Sequence, residues 1–346
     1  MHEFYQTNFY IILGIMAAAA FGLTLLFGRI ALPILRAKKA GQPINEYVTA
    51  HQSKAGTPTM GGISFVPAFL AVMLAFCVYF VLTYGTYWAF ELIPVALVCL
   101  YGLAHAAIGF VDDYFKLLRR HNEGLTEKQK LLLQVVAAAA FVAMMAITGK
   151  LTTELHIPFT DIRWDLGWFA YPVYILVMVG FVNATNITDG LDGLASGCMI
   201  IAALAFLCIL PWIPELTPFL MAIVAACAGF LWFNCNPARV FMGDTGSLAL
   251  GGALGTVAVC SGLELILVVI GGVFVAEALS VMLQVGWFKF TRIKYGEGRR
   301  IFRMAPIHHH FEKGGLSETQ VCIRFWIVAG ILAFVGIALF YSCMGL

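Results

Sequence analysis

The stretch QKLLLQVVAAAAFVAMMAI, residues 129–147, is apolar except for its first two residues and Gln134. An α-helix rises about 1.5 Å per residue, so a run of this length spans the roughly 30 Å hydrocarbon core of a bilayer. The chain of 346 residues is 61% hydrophobic and only 12% charged, which is not the composition of a soluble domain. These features together predict a helix that crosses a membrane.

Similar apolar runs recur along the whole chain, and we count about ten of them. Only helices and closed barrels satisfy the backbone polar groups in lipid, and continuous runs of this length exclude a barrel. The sequence therefore predicts an all-α integral membrane protein that forms one polytopic domain over residues 1–346. The runs cover residues 10–35, 62–82, 92–110, 129–147, 168–182, 196–213, 219–235, 247–261, 263–288 and 321–341.

The basic residues indicate the orientation of these helices. Of the 21 Lys and Arg residues, only Lys150 and Arg163 lie in the gaps after the second, fourth, sixth and eighth runs or at the termini. Because cytoplasmic loops are enriched in basic residues, the other gaps are predicted to be cytoplasmic and both termini external. In one external gap, residues 150–167 alternate polar and apolar side chains, which predicts a short β-hairpin with a structural role.

Five polar clusters interrupt the apolar runs, and all five fall in gaps that are predicted to be cytoplasmic. Chance would scatter such clusters over both sides of the membrane. We therefore predict one active site on the cytoplasmic face, assembled from loops that are far apart in sequence. The clusters are His51–Gly62, Asp112–Lys116, Asn183–Gly193, Asn234–Ser247 and Arg299–Glu312.

An aspartate pair, Asp112 and Asp113, follows the third run in the sequence GFVDDYFK. A carboxylate at the C-terminal end of a helix opposes the helix dipole at a cost of about 0.3–1 kcal/mol, so a structural cap explains the pair poorly. Lys116 lies on the same helical face. The alternative is a solvated helix end with a local ion pair. We favour a functional role, with a base beside an anionic ligand.

The sequence FVNATNITDGLDG places Asn183, Asn186, Asp189 and Asp192 within ten residues, among glycines that allow the backbone to approach a ligand. The spacing of the two aspartates predicts neighbouring positions on one helical turn. The segment does not match a calcium-binding EF-hand loop. A helix N-cap would explain one acid, but not two acids and two amides.

Two further segments contain candidate anion-binding positions. Asp244 precedes the eighth run, so Gly243 and Asp244 are predicted at a helix N-terminus, which favours phosphate and other anions. An N-cap role is the alternative for Asp244 alone. In HQSKAGTPTMGG, Lys54 is a candidate phosphate partner, and glycines shape a turn near Thr59.

The last cluster contains three consecutive histidines, His308, His309 and His310. Three successive side chains cannot all point one way, so we interpret them as hydrogen-bond donors to a diphosphate or as proton carriers rather than as a chelating set. The basic stretch Lys289–Arg303 is suited to catalysis or to anionic lipid headgroups, and we favour lipid contact. The nine cysteines form no C-x-x-C pair, so no zinc site is predicted.

Clustered carboxylates, lysines and oxygen-rich loops suit Mg²⁺ or Mn²⁺, which prefer oxygen ligands and bridge substrate phosphates. Such a site at a membrane surface indicates a phosphoryl-type transfer between a lipid and a soluble nucleotide. A polytopic membrane transporter is the contrasting class, but transporters place their substrate near the bilayer midplane, whereas these clusters flank the apolar runs. Two ionisable residues inside the runs, His105 and Glu277, are predicted to face protein or a cavity.

Five segments resemble the signatures of the phospho-N-acetylmuramoyl-pentapeptide-transferase family, within the polyprenyl-phosphate N-acetylhexosamine-1-phosphate transferase superfamily. The aspartate motifs are shared across that superfamily, whereas GTPTMGG and PIHHHFE are more specific to this family. The segments are KAGTPTMGG at 54–62, GFVDDYFK at 109–116, NATNITDGLDG at 183–193, FNCNPARVFMGDTGS at 233–247 and APIHHHFEK at 305–313.

This resemblance implies a Mg²⁺-dependent enzyme of the bacterial cytoplasmic (inner) membrane, with its active site on the cytoplasmic face. Such an enzyme transfers phospho-MurNAc-pentapeptide from UDP-MurNAc-pentapeptide to undecaprenyl phosphate, forming lipid I and UMP for peptidoglycan synthesis. The resemblance also implies a homodimer among membrane lipids, and no nucleic acid partner is expected.

By motif match, the resemblance implies that Asp244 binds the metal and that Asp112 and Asp113 are catalytic, with Asp112 acting as a base on the lipid phosphate or near it. Direct attack and a covalent aspartyl intermediate are both compatible with these residues. The residues implied around the substrate are Lys54, Thr59, Lys116, Lys128, Asn183, Asn186, Asp189, Asp192, Asn234, Phe241, Gly243, Gln284, His308, His309 and His310.

Overall fold

Helices make up most of the chain, and two short strands lie between the fourth and fifth helices. A computed structural model describes residues 2–38, 56–85, 90–119, 124–158, 160, 162–210 and 216–343. The elements are α1 (His2–Ala37), α2 (Gly62–Tyr84), α3 (Ile93–Arg119), α4 (Glu127–Ile147), β1 (Glu154–His156), β2 (Arg163–Asp165), α5 (Ala170–Thr188), α6 (Leu194–Ile209), α7 (Leu216–Asn234), α8 (Gly243–Ser261), α9 (Glu264–Ile270), α10 (Gly272–Tyr295), α11 (Ile307–Glu312) and α12 (Glu318–Cys343).

Within the described residues, eight helices are long and apolar enough to cross a membrane, namely α1 to α5, α7, α10 and α12. The prediction of a multi-pass helical membrane protein is therefore confirmed. Two further predicted runs correspond to α6 and α8. Helix α6 has only 16 residues, and α8 contains several glycines and begins with Gly243 and Asp244, which makes it less apolar than its neighbours.

The ninth apolar run departs from the prediction. The sequence predicts one helix over residues 263–288, but the structure divides the run at Gly271 into α9 and α10, so that prediction is wrong. Gly271 lies so close to the Phe181 ring of α5 and to the carbonyl of Leu267 that a Cβ atom would overlap both. Beyond this break, α10 leaves much of its apolar surface exposed, as at Met282 and Ile293.

Helix α8 lies at the centre of the helical bundle, where α3 and α5 pack along it and α2 contacts it. Every residue from Thr245 to Val259 is buried. Small residues allow membrane helices to approach closely. At one such approach, Gly109 of α3 lies against the carbonyl of Asp244, where a Cβ atom would not fit. This contact brings the C-terminal half of α3 against the start of α8, so that polar clusters distant in sequence meet.

The two strands form the short hairpin that the sequence predicts. β1 pairs with β2 in antiparallel register, with Leu155 opposite Trp164. The Asp165 carboxylate accepts hydrogen bonds from the Thr153 hydroxyl at 2.6 Å and from the backbone N–H of Gly167 at 2.8 Å. These bonds tie the end of β2 to the residue before β1 and to the turn that leads into α5.

Candidate active site

Three aspartates meet where the C-terminal half of α3 packs against the start of α8. Carboxylate oxygens of Asp112, Asp113 and Asp244 all lie within 4.8 Å of one another. Asp112 and Asp113 are fully buried, whereas the Asp244 side chain remains 13% exposed. Oxygen ligands clustered in this way fit a divalent cation such as Mg²⁺, which takes carboxylate oxygens together with water and substrate phosphates.

The Asp113 carboxylate caps the N-terminal end of α8. Its carboxylate accepts hydrogen bonds from the backbone N–H of Asp244 at 3.2 Å and of Thr245 at 3.0 Å, and from the Thr245 hydroxyl at 2.7 Å. The first N–H groups of a helix have no partner within the helix, and the helix dipole favours a negative charge there. The prediction that the aspartate pair lies at the C-terminal end of its own helix is wrong, because α3 continues to Arg119. Asp113 instead caps a different helix.

Two lysines lie beside the aspartates. Lys116 Nζ is 2.6 Å from Asp112 Oδ2 and 3.4 Å from Asp244 Oδ2. Lys130 Nζ is 2.5 Å from Asp244 Oδ2 and 3.2 Å from Asp112 Oδ2. The other oxygen of Asp112 accepts the backbone N–H of Leu125 at 2.8 Å. The two ammonium groups therefore balance part of the negative charge of the aspartates.

Lys130 is a residue that the sequence reasoning missed. The resemblance implies Lys128, but Lys128 is exposed on α4, whereas Lys130 is half-buried and contacts the aspartates. Helical periodicity could have identified Lys130 from the sequence. Lys130 lies one turn before the buried Gln134 and therefore shares its face of α4. Lys128 lies six residues from Gln134, on another face.

The two asparagines on α5 have different partners. The Asn186 amide donates hydrogen bonds to Asp244 Oδ1 at 2.9 Å and to the Ser247 hydroxyl at 2.8 Å, so it orients the Asp244 carboxylate. The Asn183 amide donates to Gln134 Oε1 at 2.7 Å and to the carbonyl of Val179 at 2.8 Å. Asn183 therefore joins α5 to α4 and supports the side of the site that carries Lys130.

Asp189 and Asp192 face in different directions, because α5 ends at Thr188 and the chain turns through Gly193 before α6 begins. Asp189 accepts a hydrogen bond from the backbone N–H of Gly243. Burial raises the pKa of Asp189 well above its usual range, and the nearby charges of Asp244 and Asp113 add to this effect. Asp189 thus belongs to the aspartate cluster, and its carboxyl group holds a proton more readily than an exposed one.

Asp192 instead supports the loop before α8. Its carboxylate accepts hydrogen bonds from the Asn236 amide at 3.1 Å and from the backbone N–H of Ala238 at 2.9 Å. Its backbone N–H donates to Glu318 at the start of α12, at 2.8 Å. The predicted adjacency of Asp189 and Asp192 on one helical turn is therefore not found, since they lie in the turn between two helices.

The segment containing Thr59 lies along the start of α8. The backbone N–H of Phe241 donates to the carbonyl of Pro58 at 2.8 Å, and the N–H of Gly61 donates to the carbonyl of Phe241 at 2.8 Å. Gly243 has a φ of 72°, and a Cβ atom there would overlap the Thr59 hydroxyl and the Asp113 carboxylate. Only glycine fits this turn without strain. Lys54 lies outside the described residues.

Two other predicted residues hold loops in place. Asn234 is buried, accepts the backbone N–H of Gly193 at 3.1 Å and donates to the carbonyl of Val240 at 3.0 Å. Gln284 of α10 accepts the backbone N–H groups of Ile301 and Phe302, at 3.0 and 2.9 Å. Gln284 therefore fastens the chain that leads into α11.

The three histidines point to different partners, as their succession in the chain requires. His308 is buried, with its Nδ1 atom 3.1 Å from Glu277 Oε1. His309 Nδ1 lies 2.6 Å from Glu312 Oε2. His310 Nδ1 accepts a hydrogen bond from the backbone N–H of Arg303 at 3.1 Å. They do not form a shared chelating set.

Comparisons with known proteins agree with this site. The model of glycosyl transferase family 4 matches residues 93–262, which include all three clustered aspartates. The phospho-N-acetylmuramoyl-pentapeptide-transferase signature 1 matches residues 54–66, which include Thr59 and the glycines that contact the start of α8.

Curated relatives extend the similarity to almost the whole chain. The phospho-N-acetylmuramoyl-pentapeptide-transferase of Solidesulfovibrio magneticus is 45% identical over 335 residues, covering 91% of this chain and 89% of its own. The enzyme of the same name from Bacillus subtilis is 44% identical over 322 residues, covering 92% of this chain and 94% of its own. This chain therefore belongs to the phospho-N-acetylmuramoyl-pentapeptide-transferase family.

Proposed function

We propose that this protein transfers phospho-MurNAc-pentapeptide from UDP-MurNAc-pentapeptide to undecaprenyl phosphate, forming lipid I and releasing UMP. The observation that carries the proposal is the cluster of Asp112, Asp113 and Asp244 with Lys116 and Lys130 beside it. This group lies at the ends of apolar helices, where a lipid reactant and a soluble nucleotide can meet. Membership of the family supports the choice of these two substrates.

The proposed cofactor is Mg²⁺, with Mn²⁺ as a substitute, because both prefer oxygen ligands. Asp244 would hold the cation, with Asp112 and Asp113 adjacent. When bound, the cation neutralises charge that develops on the leaving phosphate.

The protein side chains have distinct tasks in this proposal. Lys116 and Lys130 attract the phosphate groups and balance their charge, while Asn186 keeps the Asp244 carboxylate oriented. Asp112 accepts the proton of the lipid phosphate or acts near that phosphate. Positioning both reactants at one place removes much of the entropic barrier to reaction. Asp113 and Thr59 maintain the shape of the turn at Gly243, on which the position of Asp244 depends.

The proposed substrate contacts include the other residues that the resemblance implies. Asp189 borders the aspartates, since the charges of Asp244 and Asp113 act on it, and His308 of α11 lies against the adjacent Gly190. Asp192, Asn183, Asn234 and Gln284 would act through the loops that they hold. Lys54 and Lys128 stay predictions for contacts with the diphosphate.

In the membrane, we place one polytopic domain with about ten spans in the bacterial cytoplasmic membrane, both termini outside and the aspartates at the cytoplasmic face. The basic residues at the end of α10, such as Lys289 and Arg292, support this orientation. A homodimer belongs to the same proposal. A transporter is not favoured, because the acidic cluster lies at helix ends rather than at the bilayer midplane.

Purified full-length protein in detergent tests the function directly. With UDP-MurNAc-pentapeptide, undecaprenyl phosphate and Mg²⁺ all present, we expect release of UMP together with a lipid-linked product. Omission of any one of the three is expected to stop the release. Absence of UMP release in the complete mixture, with substrate flux through proteoliposomes instead, would contradict the proposal.

A further inference from the structure

A buried glutamate–histidine contact joins α10 to α11. Glu277 of α10 is fully buried, and its Oε1 atom lies 3.1 Å from Nδ1 of His308, whose side chain is only 1% exposed. The two residues lie on elements separated by a long loop. Their contact therefore attaches α11 to the body of α10.

Burial makes the polar neighbours of Glu277 important. A carboxylate inside a membrane protein is expensive unless it is paired, and removing one partner leaves the other uncompensated. In the described part of the chain, neither Glu277 oxygen forms a well-aligned hydrogen bond, and neither do the two ring nitrogens of His308. The contact of 3.1 Å with His308 Nδ1 lies within ion-pair distance, so each of these two buried side chains has the other as its close polar neighbour.

The other edge of the His308 ring connects the pair to the aspartates. A Cβ atom at Gly190 would overlap His308 Nε2, so the ring lies directly against the backbone of that glycine. The preceding residue, Asp189, accepts a hydrogen bond from Gly243 next to Asp244. A continuous series of contacts therefore runs from Glu277 through His308 and Gly190 to the aspartate cluster.

We propose that Glu277 is a positioning residue for the nucleotide-sugar substrate: it holds the His308 imidazole against Gly190 and thereby holds α11 beside the aspartates. This inference rests on the proposed function. Glu277 does not touch substrate in this arrangement, and it acts only through His308. The two residues should therefore behave as a single unit in kinetics.

The test measures UMP release by the full-length wild type, Glu277→Gln, His308→Gln and the double variant, varying UDP-MurNAc-pentapeptide at saturating undecaprenyl phosphate. We expect each single variant to raise the KM for the nucleotide sugar about tenfold, as loss of a supporting contact often does. The double variant should also show about a tenfold increase rather than about a hundredfold, because residues that act as one unit are not additive. The KM for undecaprenyl phosphate should stay at the wild-type value.

A merely structural defect would lower the folded fraction, and thus kcat, without raising the KM for one substrate. Wild-type KM in Glu277→Gln, or multiplied losses in the double variant, would overturn the inference. If Glu277→Gln does not fold, Glu277→Asp replaces it, since it keeps the charge but shortens the reach to His308. A wild-type KM in that variant would be equally decisive against the proposal.

Glu264 offers a matched control. It is also a buried glutamate, at the start of α9, and its carboxylate oxygens receive no hydrogen bond from the described residues. Glu264→Gln therefore makes the same chemical change away from α11, and the KM for the nucleotide sugar should stay at the wild-type value. An equal rise in Glu264→Gln would overturn the proposal. No UMP release from the wild type would instead refute the proposed function, on which this inference depends.

Discussion

Asp113 near the end of α3 caps α8 by accepting two hydrogen bonds from Thr245, one from its backbone N–H at 3.0 Å and one from its hydroxyl at 2.7 Å. We expect Asp113→Ala to destabilise the protein by about 1–2 kcal/mol, the usual cost of losing a helix cap. Thr245→Val removes only the hydroxyl bond and should cost about 1 kcal/mol or less. Thermal unfolding in detergent measures both, and equal losses would contradict the capping role.

Asp244→Ala should nearly abolish turnover while the protein still folds. The change removes the carboxylate that contacts Lys116, Lys130 and Asn186 and that we assign to the metal. UMP release measured over a range of Mg²⁺ concentrations tests this assignment. Substantial activity with an unchanged Mg²⁺ requirement would show that Asp244 does not bind the metal.

Asp112→Asn keeps the shape of the side chain and its acceptor for the N–H of Leu125, but removes the negative charge. Turnover should fall strongly while binding of the UDP-sugar, measured by calorimetry, survives. The pH dependence of the remaining rate checks the assignment of Asp112 as a base. Recovery of the wild-type rate at higher pH would exclude that assignment.

The position of Lys130 beside Asp112 and Asp244 predicts that Lys130→Met is more harmful than Lys128→Met. Loss of one preorganised charge at a phosphoryl-transfer site costs about a hundredfold in rate, whereas the exposed Lys128 has no contact with the aspartates among the described residues. The measurement is kcat/KM for both variants. A larger loss in Lys128→Met would favour the lysine implied by the resemblance.

Because His308, His309 and His310 each contact a different partner, we predict that they form hydrogen bonds and do not chelate a metal ion together. With His308 assigned to Glu277, we expect His309→Gln or His310→Gln to weaken use of UDP-MurNAc-pentapeptide strongly and to leave the Mg²⁺ requirement unchanged. Treatment of the wild type with a zinc-selective chelator checks the alternative. Inactivation by the chelator, followed by recovery on adding zinc, would establish a zinc site and contradict the prediction.

Local sequence signals predicted much of the fold because they depend on short-range physics. Apolar runs predicted the membrane helices, and alternation over 150–167 predicted the hairpin. The break at Gly271 was missed, since hydropathy is continuous there, and the close packing of Gly271 against Phe181 of another helix has no local sequence signal. The distinction between Asp189 and Asp192 was missed for a related reason: a spacing of three residues has one meaning within a helix and another in the turn that follows it.

The sequence by itself determined that this chain is a helical membrane protein and which polar residue types are available for chemistry, because burial of apolar runs and the cost of charge in lipid depend on composition and local order. Only the tertiary structure decided how those residues pair. Asp113 capping α8, Lys130 reaching Asp244 and Glu277 meeting His308 each join elements far apart in the chain. Such contacts depend on how closely helices approach one another, and that distance is set by packing at small residues such as Gly109 rather than by any local pattern.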